Sequence, residues 1–524
     1  MKKFIILVSV MAGALLATSC LKEDTSAIVS PYKFFETPAQ IRAALNGCYD
    51  PLNSIHDLRY YIAIEGACDI ASTPSSAQPD ARFDINPARP GAGNNVWPQC
   101  YYGVRKCLST LAGIHRSSLD ESEKAPYEAE CRILLSYYYY VLTSFFGDVP
   151  FYEDYVENED DMARIAKLGR MPATETRQTL IEELKLYVPY LEQIRTFDIR
   201  VNGVNYNYCG AAMGWMMIAK LAAWDKDWDD VIMACEHLES IYGDLTQYPY
   251  SDVCFRNKHT AESIFEINHE WEEGGIDYTT YNNTALSAIV IPYRTEEDKK
   301  VENMYDGVIV PELGNKAYSY RPVKPSSYMK TYVAPSGTGD IRREFNFASS
   351  WSHIRINPET GKEETVTENF NSVWMGHKFW CFGVYHNDDS NNYKIFRYAD
   401  ALLLLAEAWC EKGNFPKSIE YLNKVRARAE LTPYSFVGEI KLRGEIRDER
   451  ARELFGEWGR KYDLVRWGIW YDQVVAYNTY NLVQENVRPC HEYYPIPDVQ
   501  CARSGRILSN PEYDKYNLSG SSDE

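Results

Sequence analysis

The stretch Tyr393-Lys-Ile-Phe-Arg397-Tyr-Ala-Asp400-Ala-Leu-Leu-Leu-Leu405-Ala-Glu-Ala408-Trp409, followed by Gly413-Asn-Phe415 and Ser418-Ile-Glu-Tyr-Leu422-Asn-Lys-Val425-Arg426, decides the fold. Ala401, Leu404, Leu405 and Ala408, then Ile419, Leu422 and Val425, keep the three-and-four spacing of a helical face, which predicts two helices around a turn at Gly413-Asn414. Pro416 suits the opening turn of the second helix, where its missing N–H goes unused. Small Ala406 and Ala408 at the crossing, with an aromatic just past the turn, give the pattern of a tetratricopeptide helical hairpin. Such a hairpin cannot bury its apolar face alone.

Working outward, similar units recur. Pro38 to Tyr49 opens one and Tyr101 to Ile114 another. Tyr127 to Phe146 is strongly apolar and stops at Gly147-Asp148-Val149-Pro150, a C-cap glycine followed by proline. Glu175 to Ile194 continues the series, and Ala211 to Ile241 repeats the small-residue crossing around a turn at Asp225 to Trp228. The expectation is a mainly α fold, a tetratricopeptide-like scaffold of about four hairpins, enough to bury a continuous core. Between Asn268 and Asn392 the periodicity fails and Gly, Pro, Asn, Ser and Thr are frequent, predicting a long loop-rich insertion with short strands. A second irregular stretch runs from Ala71 to Trp97. Irregular segments held on a rigid scaffold are where binding usually sits.

Downstream, Glu445 to Phe455 and Trp458 to Trp467 carry Arg447, Arg450, Glu453, Asp463 and Arg466. Three-and-four spacing beside tryptophans reads as an ion-pair network tying the last helices together rather than an acid/base site. "FRYADALLLLAEAWCEKGNF", "LNKVRARAEL", "RDERARELFGEWGRKYDLVRWG" and "YPIPDVQ" with "NPEY" resemble, in order, the C-terminal signature of the SusD/RagB family of glycan-binding surface lipoproteins. Gln500 departs from it, standing where the family usually has Glu.

At the start, Met1-Lys2-Lys3 and the apolar run Phe4 to Leu16 form a secretory signal, too short to span about 30 Å of hydrocarbon. Leu16-Ala-Thr-Ser-Cys20 resembles a lipoprotein box, with residues 1–19 removed and Cys20 acylated; plain signal cleavage is the alternative. The acidic Leu21-Lys-Glu-Asp24 looks like the surface-export tag of such lipoproteins. The remainder, 20–524, reads as a single SusD-like domain with a helical N-terminal part at 20–267, the insertion at 268–392 and the signature at 393–524.

A formal charge of −19 and the lack of a basic stripe argue against nucleic acid. Of thirteen cysteines one would carry lipid, and the others, unspaced and partly inside helical runs, are expected mostly as buried thiols with one or two bridges at most. Catalytic and phosphate-binding motifs are missing: no His-Glu-x-x-His, no Gly-x-Ser-x-Gly and no phosphate loop. The run 387–391 (Asn-Asp-Asp-Ser-Asn) could offer oxygens to calcium but is more often a solvated turn, so no cofactor is expected.

Tyr outnumbers Phe by 41 to 19, and rings with a polar tip favour binding surfaces. Sugars present C–H faces to rings and hydroxyls to polar side chains. The resemblance implies that the two irregular stretches meet on one exposed face. On that face Trp351 or Trp374 would be the stacking platform, Tyr278 or Tyr281 a second ring, and Arg82 or Asn95 the hydroxyl partner, with Trp97 and Trp271 the next rings in line. It also implies a TonB-dependent, SusC-like outer-membrane transporter as partner, because a lipid-anchored chain without a membrane span cannot itself move cargo across a bilayer. Three functions stand: a non-catalytic glycan-binding lipoprotein, a binder of peptide or another nutrient on the same scaffold, and a glycoside hydrolase whose paired carboxylates come from distant loops.

Overall fold

Thr37 begins the helical stack: its hydroxyl accepts from the Gln40 N–H while the Gln40 amide oxygen accepts from the Thr37 N–H, a reciprocal cap that satisfies two backbone donors. The structure, a computed structural model, describes residues 34–191, 200–201, 204–205, 208–270, 286–291, 310–313, 323–384 and 389–518. Among them are nine helices of fourteen residues or more: α1 (Pro38–Ile55), α2 (Gly93–Arg116), α3 (Glu121–Phe146), α4 (Ala173–Tyr187), α5 (Ala211–Asp225), α6 (Trp228–Tyr242), α7 (Tyr398–Glu411), α8 (Phe415–Arg428) and α9 (Glu439–Glu453). Each packs on the next, and α6 packs on α7 although the whole insertion separates them in sequence. The result is the tetratricopeptide-like stack of hairpins.

Small residues allow the close crossings. A Cβ on Gly103 of α2 would lie 2.4 Å from the Tyr138 ring of α3, and one on Gly214 of α5 would lie 2.3 Å from Val188. The hairpin that the sequence marks at Gly413 is closed by a backbone at φ 75° there, with the Asn414 side chain accepting from Lys417 N–H to open α8. Its helices touch closely: the Ser418 hydroxyl donates to the Ala406 carbonyl at 2.6 Å.

The charged residues of the signature form two buried networks. Arg450 pairs with Asp463 and Asp400, and Arg466 with Asp463 and Glu407. Separately, Glu453 receives Arg342, Arg397 and Arg428, and Arg397 also meets Glu262 and Glu457. Arg447 joins neither and lies over the Trp467 ring at 5.0 Å. Buried charges persist only when paired, so the first network ties α7 and α9 to the segment 460–466, and the second ties α8 and α9 to Arg342 of the insertion.

Eight strands form four two-stranded antiparallel ladders among the described residues: β1 (Ala71–Ser72) with β5 (Lys324–Pro325), β2 (Arg200–Val201) with β3 (Val204–Asn205), β4 (Ser263–Ile267) with β8 (Tyr393–Arg397), and β6 (Phe347–Ile356) with β7 (Glu363–Met375). The β4–β8 ladder pairs Ile267 with Tyr393, so the insertion leaves and re-enters the stack at one place. Besides short strands, the insertion carries one long hairpin, β6–β7, which pairs Phe347 with Met375 and Ala348 with Trp374 at its root and, past a register shift between Ala348 and Ser350, runs from Ser350 opposite Asn369 to Ile356 opposite Glu363. Its outer half exposes one face and half-buries the other around His353, and polar residues stand on both, so no apolar alternation marks it in the sequence. The twelve cysteines among the described residues are buried free thiols.

Candidate functional site

The two irregular stretches meet. Ala71 pairs with Pro325 and Ser72 with Lys324, the Ser326 N–H donates to the Ile70 carbonyl at 2.8 Å, and the Ser326 hydroxyl donates to the Asp69 carbonyl at 2.6 Å. Asp69 is clamped by Arg460, which anchors the junction on the C-terminal signature. The Ser326 hydroxyl also accepts from Met329 N–H, just ahead of a π-helical turn at Met329–Val333. Wide turns of this kind re-aim side chains and are frequent at functional sites.

That turn presents a ladder of tyrosines. The Tyr328 ring stacks on Tyr477 with centroids 3.7 Å apart and planes at 15°, and Tyr332 continues the stack at 6.1 Å and 30°. Tyr332 is 74% exposed. Tyr477 ends the helix Trp470–Tyr477, and the next residue, Asn478, donates to the Cys68 carbonyl at 3.1 Å, so a third segment joins the same junction. Burial pushes the carboxyl of Asp448, which acts electrostatically on Tyr328, up to about 6. Rings backed by a carboxyl offer stacking and hydroxyl recognition together.

A second aromatic patch lies at the root of the β6–β7 hairpin. Trp351 is half-buried, and its indole N–H donates to Glu312 at 3.1 Å. Its ring meets Trp380 at 5.1 Å, His377 at 5.8 Å and the exposed Phe382 at 6.3 Å. The Arg256 guanidinium lies 4.7 Å over Phe382. Burial and the Arg256 charge bring His377 down to about 4, so its imidazole is neutral near pH 7 and can both donate and accept.

The other residues singled out from the sequence fall elsewhere. Trp374 has no exposed surface; Lys324 Nζ sits 4.1 Å over its ring, and no face is open to a ligand. Asn95 donates to the Ser54 carbonyl and Asp57 carboxylate, securing the end of α1. Arg82 pairs with Asp84 at 2.8 Å, and its carbonyl accepts from Asn486. Trp97 is 5% exposed, wedged between Phe146 and Tyr101, and forms one wall of a cleft of about 380 Å³ with Tyr101, Tyr152, Gln500 and Arg503. Trp271, Tyr278, Tyr281 and Cys20 lie outside the described residues. In the calcium-like run, the Asp389 carboxylate is buried and accepts from the Ser287 and Asn391 N–H groups, the work of a turn anchor. Sequence reading missed the tyrosine ladder. Its one local signal is the four-residue spacing of Tyr328 and Tyr332; Tyr477 arrives from far along the chain.

A family model described as "SusD family" matches residues 248–513, and one described as "Starch-binding associating with outer membrane" matches residues 25–190. The SusD-like protein P25 of Formosa agariphila is 25% identical over 517 residues, covering 91% of this chain and 92% of the relative. Among solved structures, surface glycan-binding protein A from Bacteroides thetaiotaomicron superposes with a TM-score of 0.68 at 20% identity, covering 92% of this chain and 100% of its own. Its complex with laminarihexaose also gives 0.68 at 20% identity, covering 91% and 100%. At that identity the superpositions speak for the fold. With its C-terminal half from Tyr248 to Tyr513 matched continuously by the family model, the chain belongs to the SusD family.

Proposed function

We propose that this protein is a non-catalytic, cell-surface glycan-binding lipoprotein that captures oligo- or polysaccharide and delivers it to a partner TonB-dependent, SusC-like transporter, held at the outer membrane by lipid on Cys20. The observation that carries glycan capture is the set of open rings on the insertion: Tyr332 and Tyr328 backed by Tyr477, and Trp351 beside Phe382, each with polar groups in reach. Rings of this kind stack on sugar C–H faces, while Glu312, Arg256 and Asp448 can bond hydroxyls. Support comes also from a relative named for surface glycan binding and from its laminarihexaose complex. The outer-membrane and transporter parts rest on the family resemblance and on the description of the N-terminal family model.

A glycan array probed with the chain lacking residues 1–20 tests the reading. Laminarin oligosaccharides belong on the array because a structural neighbour holds one. Binding of at least one glycan class, confirmed by titration and without release of reducing ends, is the expected result. Binding of peptides alone, or appearance of new reducing ends, would replace it with the nutrient-binder or hydrolase reading.

A further inference from the structure

Three thiols from three helices converge in the interior. Cys48 on α1, Cys107 on α2 and Cys131 on α3 have no exposed surface, and their sulfurs all lie within 4.8 Å of one another. Cys48 Sγ also faces the Thr110 hydroxyl at 3.3 Å, and the Cys131 S–H donates to the Cys107 carbonyl at 3.3 Å. No sequence motif announces this group: the residues are far apart in the chain, and only the packing of α1 on α2 and of α2 on α3 brings them together. Among the described residues this is the one cluster of three or more possible metal-ligating side chains.

Thiolate sulfurs about 2.3 Å from a shared ion in a trigonal arrangement stand about 4 Å apart, so the observed triangle needs to close by less than about 1 Å. The donor set selects the ion. Three sulfurs without a carboxylate or imidazole exclude hard cations, and a zinc ion would want a fourth strong ligand where only the Thr110 hydroxyl stands. A soft monovalent ion asks for no fourth ligand. We infer that Cys48, Cys107 and Cys131 form a buried site for one soft monovalent cation of the copper(I) class.

Because the site is enclosed, the ion enters as the chain folds or when α1 opens.

The test uses the full chain, refolded without oxygen with one equivalent of copper(I) and then dialysed against a copper(I) chelator. The expected result is one copper retained per chain, sulfur-to-copper charge-transfer absorption in the ultraviolet and a raised Tm. Cys48→Ser, Cys107→Ser and Cys131→Ser should each lower retention about tenfold or more, a loss of roughly 1.4 kcal/mol, while Cys235→Ser, at a buried cysteine outside the triangle, should not. Failure of the unsubstituted chain to retain copper overturns the site without recourse to any variant. Retention unchanged in the triple variant overturns it too, as does thiol counting that finds two of the three sulfurs joined in a disulfide in the copper-free protein.

Discussion

The Trp351 indole rests on Trp380 with 5.1 Å between ring centroids and 62° between planes, a half-buried ring supported by a fully buried one. A platform braced in this way loses little order when a ligand lands on it, which is what makes a ring an affinity anchor. Trp351→Ala should weaken glycan binding by about 2 kcal/mol, more than tenfold in Kd, with Tm nearly unchanged. Trp374→Ala should do the reverse, costing about 3–5 kcal/mol of stability, because it removes a ring with no exposed surface. Titration calorimetry and thermal melts of the two variants decide it. If Trp351→Ala binds normally, the platform is elsewhere.

Tyr332, 74% exposed at the end of its ladder, makes a cleaner test because its truncation leaves the core untouched. Tyr332→Ala should shift stability by no more than about 0.5 kcal/mol. A glycan running over the ladder should bind several-fold more weakly to this variant. An unchanged Kd would confine binding to the Trp351 patch.

Acid should loosen the α8–α9 region. Burial alone would raise Glu449, yet Arg342 and Arg452 outweigh it and hold the carboxyl at about 2; Lys394 does the same for Glu266. A carboxyl depressed in the folded state contributes stability that is complete above its unfolded value of about 4.5 and disappears as pH falls toward about 2. Tm measured from pH 6 down to pH 2 should therefore fall steadily below about pH 4.5. Glu453→Ala, which leaves Arg342, Arg397 and Arg428 short of a shared partner, should cost about 3–5 kcal/mol at neutral pH. A flat profile would mean that the network stays solvated.

Ala408 is fully buried in α7, on the helix that packs against α6, α8 and α9. Ala408→Phe should cost about 1–3 kcal/mol by forcing these helices apart, visible as a lowered denaturation midpoint. An unaltered midpoint would show room at the crossing that the structure does not contain.

Cys20→Ala should release the protein from the membrane fraction of cells lacking the partner transporter. Continued pelleting of the variant would remove the lipid from the proposal.

The helical stack was legible because helical periodicity is a local property. Leu404, Leu405, Leu422 and Val425 state their shared face within one window, and Gly413 announces the turn by the backbone angle it alone adopts easily. The family was legible as a resemblance, carried by four sequence blocks standing in the right order. Which arginine meets which carboxylate was not, since Arg342 and Arg397 reach Glu453 from the insertion and its closing strand.

Burial of an individual ring was the part that sequence could not decide. Trp351 and Trp374 lie on paired strands in similar local company, yet one keeps an open edge and the other is sealed, because a side chain's exposure depends on what packs over it from elsewhere in the chain. The same holds for the Tyr328–Tyr477 stack and the Cys48–Cys107–Cys131 triangle. The sequence by itself determined the helices, their hairpin order and the family; only the tertiary structure decided which rings and thiols share a site, since those contacts join residues that no periodicity links.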